Sequence, residues 1–215
     1  MERCCTMSIA QTVYEAFIDG LRTGSYRPGD RIRAEDLAKT FAVSRTPVRE
    51  ALSRLQERGL LQMTAGGLAV TQLDRTAVLE LYAVRELMEG SAARFAAQHA
   101  SPADLFTMRQ IAEAFGATLA DDPARVAQLN RAFHAAIYEA AHNKFLLTIL
   151  EGMHDTLMLL PSTTFTVGGR QGNAVGEHLA ILDAIEGRDP DAAEEHARAH
   201  IRHARDTRLG MMFQY

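Results

Sequence analysis

Cysteine is nearly absent from this chain. Only Cys4 and Cys5 occur, and neighbouring cysteines cannot staple distant segments, so a disulfide scaffold is excluded. No apolar run approaches the roughly 18 residues a membrane-spanning helix needs. The opening "MERCCTMSIAQ" also lacks the apolar core of a secretory signal, so a cytoplasmic location is expected. Internal repeats and low-complexity tracts are missing, which excludes solenoids and arrays. The chain has no nucleophile elbow, no phosphate-binding loop and no metalloprotease signature. These absences weigh against a metal-dependent enzyme carrying a fused DNA-binding domain, which is the main rival to the reading developed below. An architectural DNA-binding protein with an inert second domain is a third.

What is present fits a soluble globular protein, with 47% hydrophobic and 23% charged residues. The net charge of −4 is unevenly spread. Residues 1–70 hold ten Lys/Arg against eight Asp/Glu, and the remainder thirteen against nineteen. A mildly basic front on an acidic back suits a nucleic-acid module joined to another domain. Helical periodicity begins at Met7 in "MSIAQTVYEAF", so residues 1–7 are expected to be a disordered extension or to precede the true start.

Ile9, Val13, Ala16, Phe17 and Leu21 recur at helical spacing, and Gly24 and "RPGD" end that helix. "AEDLAKTF" reads as a short second helix, and Ser44 as the N-cap of a third that stops at Gly59. "LLQMT" and "LAVTQ", joined by "AGG", read as a hairpin with a glycine turn. Three helices and a two-stranded wing make a winged helix-turn-helix. In "VSRTPVREALSRL", Pro47 falls in the first turn, where the missing N–H costs little. Val48, Leu52 and Leu55 share one face and should pack inward. Arg45, Thr46 and Arg49 then point outward at the end from which a recognition helix reads the major groove. Taken alone, those arginines could equally be a solvated face.

The stretch from Ile18 to Val70, with "PGDRI", "DLA", "VSRTPVREAL" and a glycine wing, resembles the DNA-binding domain of the GntR family of bacterial transcriptional regulators. The resemblance implies base and phosphate contacts from Arg45, Thr46 and Arg49. It also implies a phosphate at Ser44 and a minor-groove wing tip at Ala65 and Gly66. Some members carry a base-contacting arginine where this chain has Glu35, and Arg33 lies two residues away as a further DNA-binding candidate.

From Thr76 onward the texture is helical, with breaks at Ser101-Pro102, Asp121-Asp122-Pro123, Asn143, Pro161 to Asn173, and Gly187 to Pro190. They delimit about six helices, and residues 162–176 are expected to form the longest loop. Seven of the eight histidines lie beyond Asn130. Asn130 and His134 share a helical face, His178 opens another helix, and His196, His200 and His203 recur on the last. Imidazoles from three packed helices could hold a divalent metal such as Zn²⁺ or Ni²⁺. Spacing alone leaves solvated or core histidines an equal reading.

"LYAVRELMEGSAARFAA", "LNRAFHAAIYEAAHNKFL" and "EHLAILDAIEGRDPDAAEEHARAHI" are similar to the all-helical FCD ligand-binding domain of the FadR branch, in its smaller six-helix variant. Many such domains bind a metal through Asp-x-x-x-His and two later histidines. The matching positions here are Asn130, His134, His178 and His200, with His196 and His203 flanking the site or facing solvent. Asn130 replaces the usual Asp, a weaker ligand for a hard cation. Arg85 matches an inward arginine that would bind an effector carboxylate; its alternative is a buried salt bridge with Glu89.

The expected protein is mainly α, with a winged helix-turn-helix over residues 8–72, a linker at 73–75 and an all-helical, FCD-like effector-binding and dimerisation bundle over 76–215. The expected function is that of a ligand-responsive regulator, in the commoner case a repressor. It would bind a palindromic double-stranded operator as a homodimer and answer to a small organic acid, with no membrane partner.

Overall fold

The computed structural model describes residues 7–118, 122–160 and 162–213. Residues 1–6 of the expected extension, and Asp121 and Pro161 among the expected breaks, lie outside them. The described chain forms two compact units, one of residues 1–73 with 154–161, the other of 74–153 with 162–215. Among the described residues, no helix is long and apolar enough to cross a membrane.

The first unit opens with α1 (Ile9–Thr23), α2 (Ala34–Thr40) and α3 (Arg45–Glu57). Ser8 caps α1 by accepting from the Gln11 amide, and Gly24, at φ 77°, closes it in the left-handed conformation that glycine adopts without strain. Val13, Phe17 and Leu21 of α1 meet Val48, Leu52 and Leu55 of α3 in the core. Each such buried aliphatic or aromatic side chain contributes about 1.5–3 kcal/mol. Gly20 has a steric reason. The Tyr26 ring stacks on Phe17 at 4.3 Å between centroids, and a Cβ at Gly20 would lie 2.4 Å from that ring.

Helix α3 ends as expected. The Leu60 and Gly59 amides donate to the Leu55 and Gln56 carbonyls, with Gly59 at φ 72°. Ser44 occupies the N-cap position, but its hydroxyl makes no capping hydrogen bond. Strands β1 (Leu61–Thr64) and β2 (Gly67–Val70) pair antiparallel, leaving Ala65 and Gly66 as the turn. Thr64 steadies that turn: its hydroxyl accepts from the Gly66 amide and donates to the Gly67 carbonyl. Arg31 bridges Ala69 on the other edge of β2.

Residues 154–161 were expected within the helical bundle, but they pack with this first unit. Leu159 is buried in its core, with Met158 against it. Arg58 pairs with Asp155 and also donates to the Tyr14 hydroxyl. The pattern of apolar residues gave no sign of this, because it does not say which core receives a side chain.

The second unit contains α4 (Arg75–His99), α5 (Pro102–Ala117), α6 (Pro123–Ala140), α7 (Lys144–Leu157), a 3-10 turn (Thr164–Thr166), α8 (Arg170–Glu186) and α9 (Pro190–Met212), the last residues of α7 belonging to the first unit. Several expected breaks prove to be start signals. Ser101, Asp122 and Asp189 each cap a helix whose first residue is proline, and Ser101 forms a reciprocal capping box with Asp104. Ala92, Ala93, Ala96 and Ala97 of α4 and Ala193 and Ala197 of α9 are buried together, and such small side chains allow two long helices to approach closely.

The long loop expected over residues 162–176 is shorter in the structure. Helix α8 begins at Arg170, straight after the left-handed Gly169. Ala174, His178, Ile181, Leu182 and Ile185 are buried at helical spacing, and that burial outweighs the poor helix propensity of Gly172 and Gly176. A Cβ at Gly176 would meet nothing within 4 Å, and its φ is not positive. Gly176→Ala should therefore raise stability by about 0.5–1 kcal/mol, whereas Gly20→Ala should lower it by about 1–3 kcal/mol. Urea unfolding of the two variants checks both signs.

Candidate metal centre and nucleic-acid interface

The outward face of α3 is as expected. Val48, Ala51, Leu52 and Leu55 are buried, and Ser44, Arg45, Thr46 and Arg49 are exposed. Ala65 and Gly66 are exposed at the wing tip, and Arg33 is exposed where α2 begins. Two features were not foreseen. Arg45 lies 3.4 Å from the Glu35 carboxylate across the exposed surface. Arg54, on the same basic helix, is committed to structure: it donates to Gln11 and lies over the Tyr14 ring.

In the second unit, α6, α8 and α9 bring His134, His178 and His200 together, all buried, each with a ligand atom within 4.8 Å of the others. His134 and His200 face each other through their Nε2 atoms at 3.1 Å. Behind them stand two carboxylates. Glu89 on α4 is 2.8 Å from His134 Nδ1, and Glu177 on α8 is 2.6 Å from His200 Nδ1. An Nδ1–H that donates to a carboxylate leaves the Nε2 lone pair as the free one. At 3.1 Å the two Nε2 atoms either share a proton or, with both lone pairs inward, accommodate a cation; two nitrogens on one tetrahedral Zn²⁺ at ~2.0–2.1 Å stand ~3.3 Å apart.

Other polar atoms in the cluster are unmatched. Among the described residues, both nitrogens of His178 and Oδ1 of Asn130 are buried without hydrogen-bond partners. His178 stacks on Phe133 at 4.4 Å and lies 4.7 Å from the Phe115 ring. The donor set of three neutral imidazoles and an amide oxygen fits a borderline divalent cation. His196 is exposed, and His203 reaches Glu177 from outside at 2.9 Å, so neither joins the convergent set.

Both carboxylates are also paired with arginines. Arg85 donates to Glu89 at 2.8 Å, fully buried and over the Tyr82 ring. The salt bridge considered as the alternative for Arg85 is thus present. Arg170 donates to Glu177 at 2.9 Å. Burial pushes the Glu89 carboxyl upward, but Arg85 and His134 together hold it well below the usual range. For Glu177, burial is likewise overcome by His200 and Arg170, and its pKa falls to about 2. Burial lowers His178 well below an ordinary histidine, helped by the charges of its neighbours. His200 is lowered to about 4, again chiefly by burial, with Glu177 opposing. Glu177 and Arg170 escaped the sequence reading, although their spacing of seven residues on one helical face could have paired them.

An exposed basic helix with a wing, joined in one chain to a helical domain that buries a polar cluster, is the architecture of a two-domain DNA-binding regulator. Residues 9–68 match the family described as bacterial regulatory proteins of the gntR family, and residues 80–203 match the FCD domain. The chain belongs to the GntR family and is a transcriptional regulator rather than an enzyme. It is 29% identical to an uncharacterized HTH-type transcriptional regulator, YdhC, of Bacillus subtilis, covering 84% of this chain and 82% of that one. It is 30% identical to a putative L-lactate dehydrogenase operon regulatory protein of Escherichia coli, over 90% and 88% of the two chains. Escherichia coli McbR/YncC has the same fold, with a TM-score of 0.74, 20% identity and coverage of 92% and 95%.

The depressed histidines set a pH dependence for the metal-free protein. In the unfolded chain they take up protons near pH 6.5, whereas folded His200 does so only near pH 4. The unfolded state binds more protons between those values, so stability is present above pH 6.5 and falls as the pH drops through this window. Denaturation of chelator-treated protein at pH 7.5, 6 and 5 should show that decline, with a shallower slope in His200→Gln. A flat profile would count against neutral burial of these rings.

Proposed function

We propose that the chain is a cytoplasmic repressor that binds a palindromic operator as a homodimer and responds to a small organic acid. A divalent cation, zinc or nickel, is held by His134, His178, His200 and the Oδ1 of Asn130. The observation that carries the sensory part is the convergence of His134 and His200 at 3.1 Å, each backed by a carboxylate, beside two unmatched buried partners. A bound cation supplies a Lewis-acidic contact for a carboxylate or hydroxyl oxygen. The amide of Asn130 adds no charge of its own, so it leaves more of the ion's positive charge to an anionic effector. The L-lactate operon in the name of one relative supports an acid of this size.

On DNA, Arg45, Thr46 and Arg49 face the bases and phosphates of the major groove. Ser44 and the first-turn amides of α3 receive a phosphate, and Ala65 and Gly66 enter the minor groove. Arg33 contacts the backbone at the start of α2. The free hydroxyl of Ser44, which caps nothing within the protein, supports the phosphate role. Two such helices in a dimer would occupy successive major grooves about one turn apart. The acid acts on operator affinity only as far as it binds one arrangement of the dimer better than the other.

Arg49→Ala should cost about 1–3 kcal/mol on the operator if Arg49 reads a base. Fluorescence anisotropy with specific and random duplexes checks this, and an equal loss on both would make Arg49 a phosphate contact. His134→Ala should lower the metal-to-protein ratio in elemental analysis while the purified protein keeps its helical circular dichroism. An unchanged ratio would overturn the ligand set.

A further inference from the structure

We propose that Arg170 is the anchor for the effector's oxyanion, a carboxylate if the effector is an organic acid, and that Arg85 is confined to holding Glu89. This rests on the sensory role proposed above. Arg170 is the first residue of α8 and only 5% exposed. One arm of its guanidinium, Nη2, donates to Glu177. Its Nε and Nη1 are buried and have no hydrogen-bond partner among the described residues. A buried guanidinium with idle N–H groups is costly on its own, and either group can donate a charge-assisted hydrogen bond to an oxygen of a carboxylate.

Its position suits the role. Glu177 Oε2 accepts from both Arg170 and His200, so the idle donors lie one carboxylate away from the histidine cluster. The Phe165 ring lies 6.0 Å from the guanidinium and contacts Phe115 at 5.6 Å, giving the anion an aromatic flank. The N-terminus of the 17-residue α8 adds partial positive charge. Arg85, in contrast, donates through its Nε to Glu89 and lies over the Tyr82 ring.

The test uses full-length protein, zinc-loaded and as purified, titrated calorimetrically with acetate, lactate, succinate, citrate and inorganic phosphate. At least one carboxylate should bind the wild type. Arg170→Gln should weaken it at least tenfold with zinc stoichiometry and helix content unchanged, while Arg85→Lys keeps it within a few-fold. Should Arg170→Gln fail to fold, Arg170→Lys retains the charge beside Glu177 and should still weaken binding, because the ammonium lacks the guanidinium's additional planar donors. Carboxylate binding that survives in the folded Arg170 variants, or that Arg85→Lys alone abolishes, would overturn the assignment to Arg170. A wild type that binds none of these anions would overturn the organic-acid reading itself, and the anchor with it. Phosphate binding alone, lost in the Arg170 variants, would keep the oxyanion anchor and discard the organic acid.

Discussion

Two glutamates hold the helical domain's polar centre in place. Glu89 accepts from Arg85 with one oxygen, and its other oxygen lies 2.8 Å from His134 Nδ1. Glu177 takes Arg170 and His200 with one oxygen and His203 with the other. Each carboxylate thus ties an arginine on its own helix to a histidine on a different one, α4 to α6 and α8 to α9. Burying such charges is expensive, and only this dense pairing offsets the loss of water. Removing one partner would strand the rest in a low-dielectric interior, so the cluster behaves as a unit. Wherever an Nδ1–H is held on a carboxylate, Nε2 is the ring nitrogen left toward the shared space.

The packing around the cluster permits that arrangement without defining it. Alanines along α4 and α9 bring two long helices close together, and the ion pairs of Arg94 with Asp191 and Glu194, and of Arg198 and Arg202 with Glu86, run along their outer edges. Those edge pairs are partly exposed and contribute little each. The stability comes from the apolar layer, which in turn supports imidazoles with unmatched nitrogens. Phe133 and Phe115 against His178 show the compromise: the rings exclude water from a group that then has no partner of its own. Such a group is the usual mark of a site whose ligand completes it.

Much of this was legible in the sequence. The winged helix could be read from turn chemistry and periodicity because Gly24, Gly59 and the Ala65-Gly66 turn each answer a local steric demand. His134, His178 and His200 could be placed on three helices, but their convergence depends on tertiary packing that spacing does not encode. Glu89 was visible as a neighbour of Arg85 and not as the support of His134, since that contact crosses from one helix to another. The start of α8 was misread for the opposite reason. Glycines at 168, 169, 172 and 176 signal a loop locally, and the buried face of Ala174, His178 and Ile181 overrides them. Residues 154–161 carried no signal at all, because Leu159 is apolar whichever core receives it.

The exposed surface of α2 and α3 shows how one carboxylate can redirect a basic side chain. Glu35 is exposed and 3.4 Å from Arg45, so the pair adds little stability in high-dielectric water. Its effect lies in direction and net charge. Arg45 is drawn toward α2, and a phosphate or a base must compete with a carboxylate for it. A carboxylate at that surface repels the phosphate backbone everywhere and can be repaid only at a base edge that offers a donor, such as the amino group of cytosine. On a DNA-facing surface such a carboxylate would cost affinity for every sequence, and less for one that presents such a donor. The basic excess of residues 1–70 is small, ten Lys/Arg against eight Asp/Glu, and Arg54 and Arg58 are occupied within the protein. That leaves Arg45 and Arg49 as exposed basic side chains in the first turns of α3, with Thr46 exposed beside them.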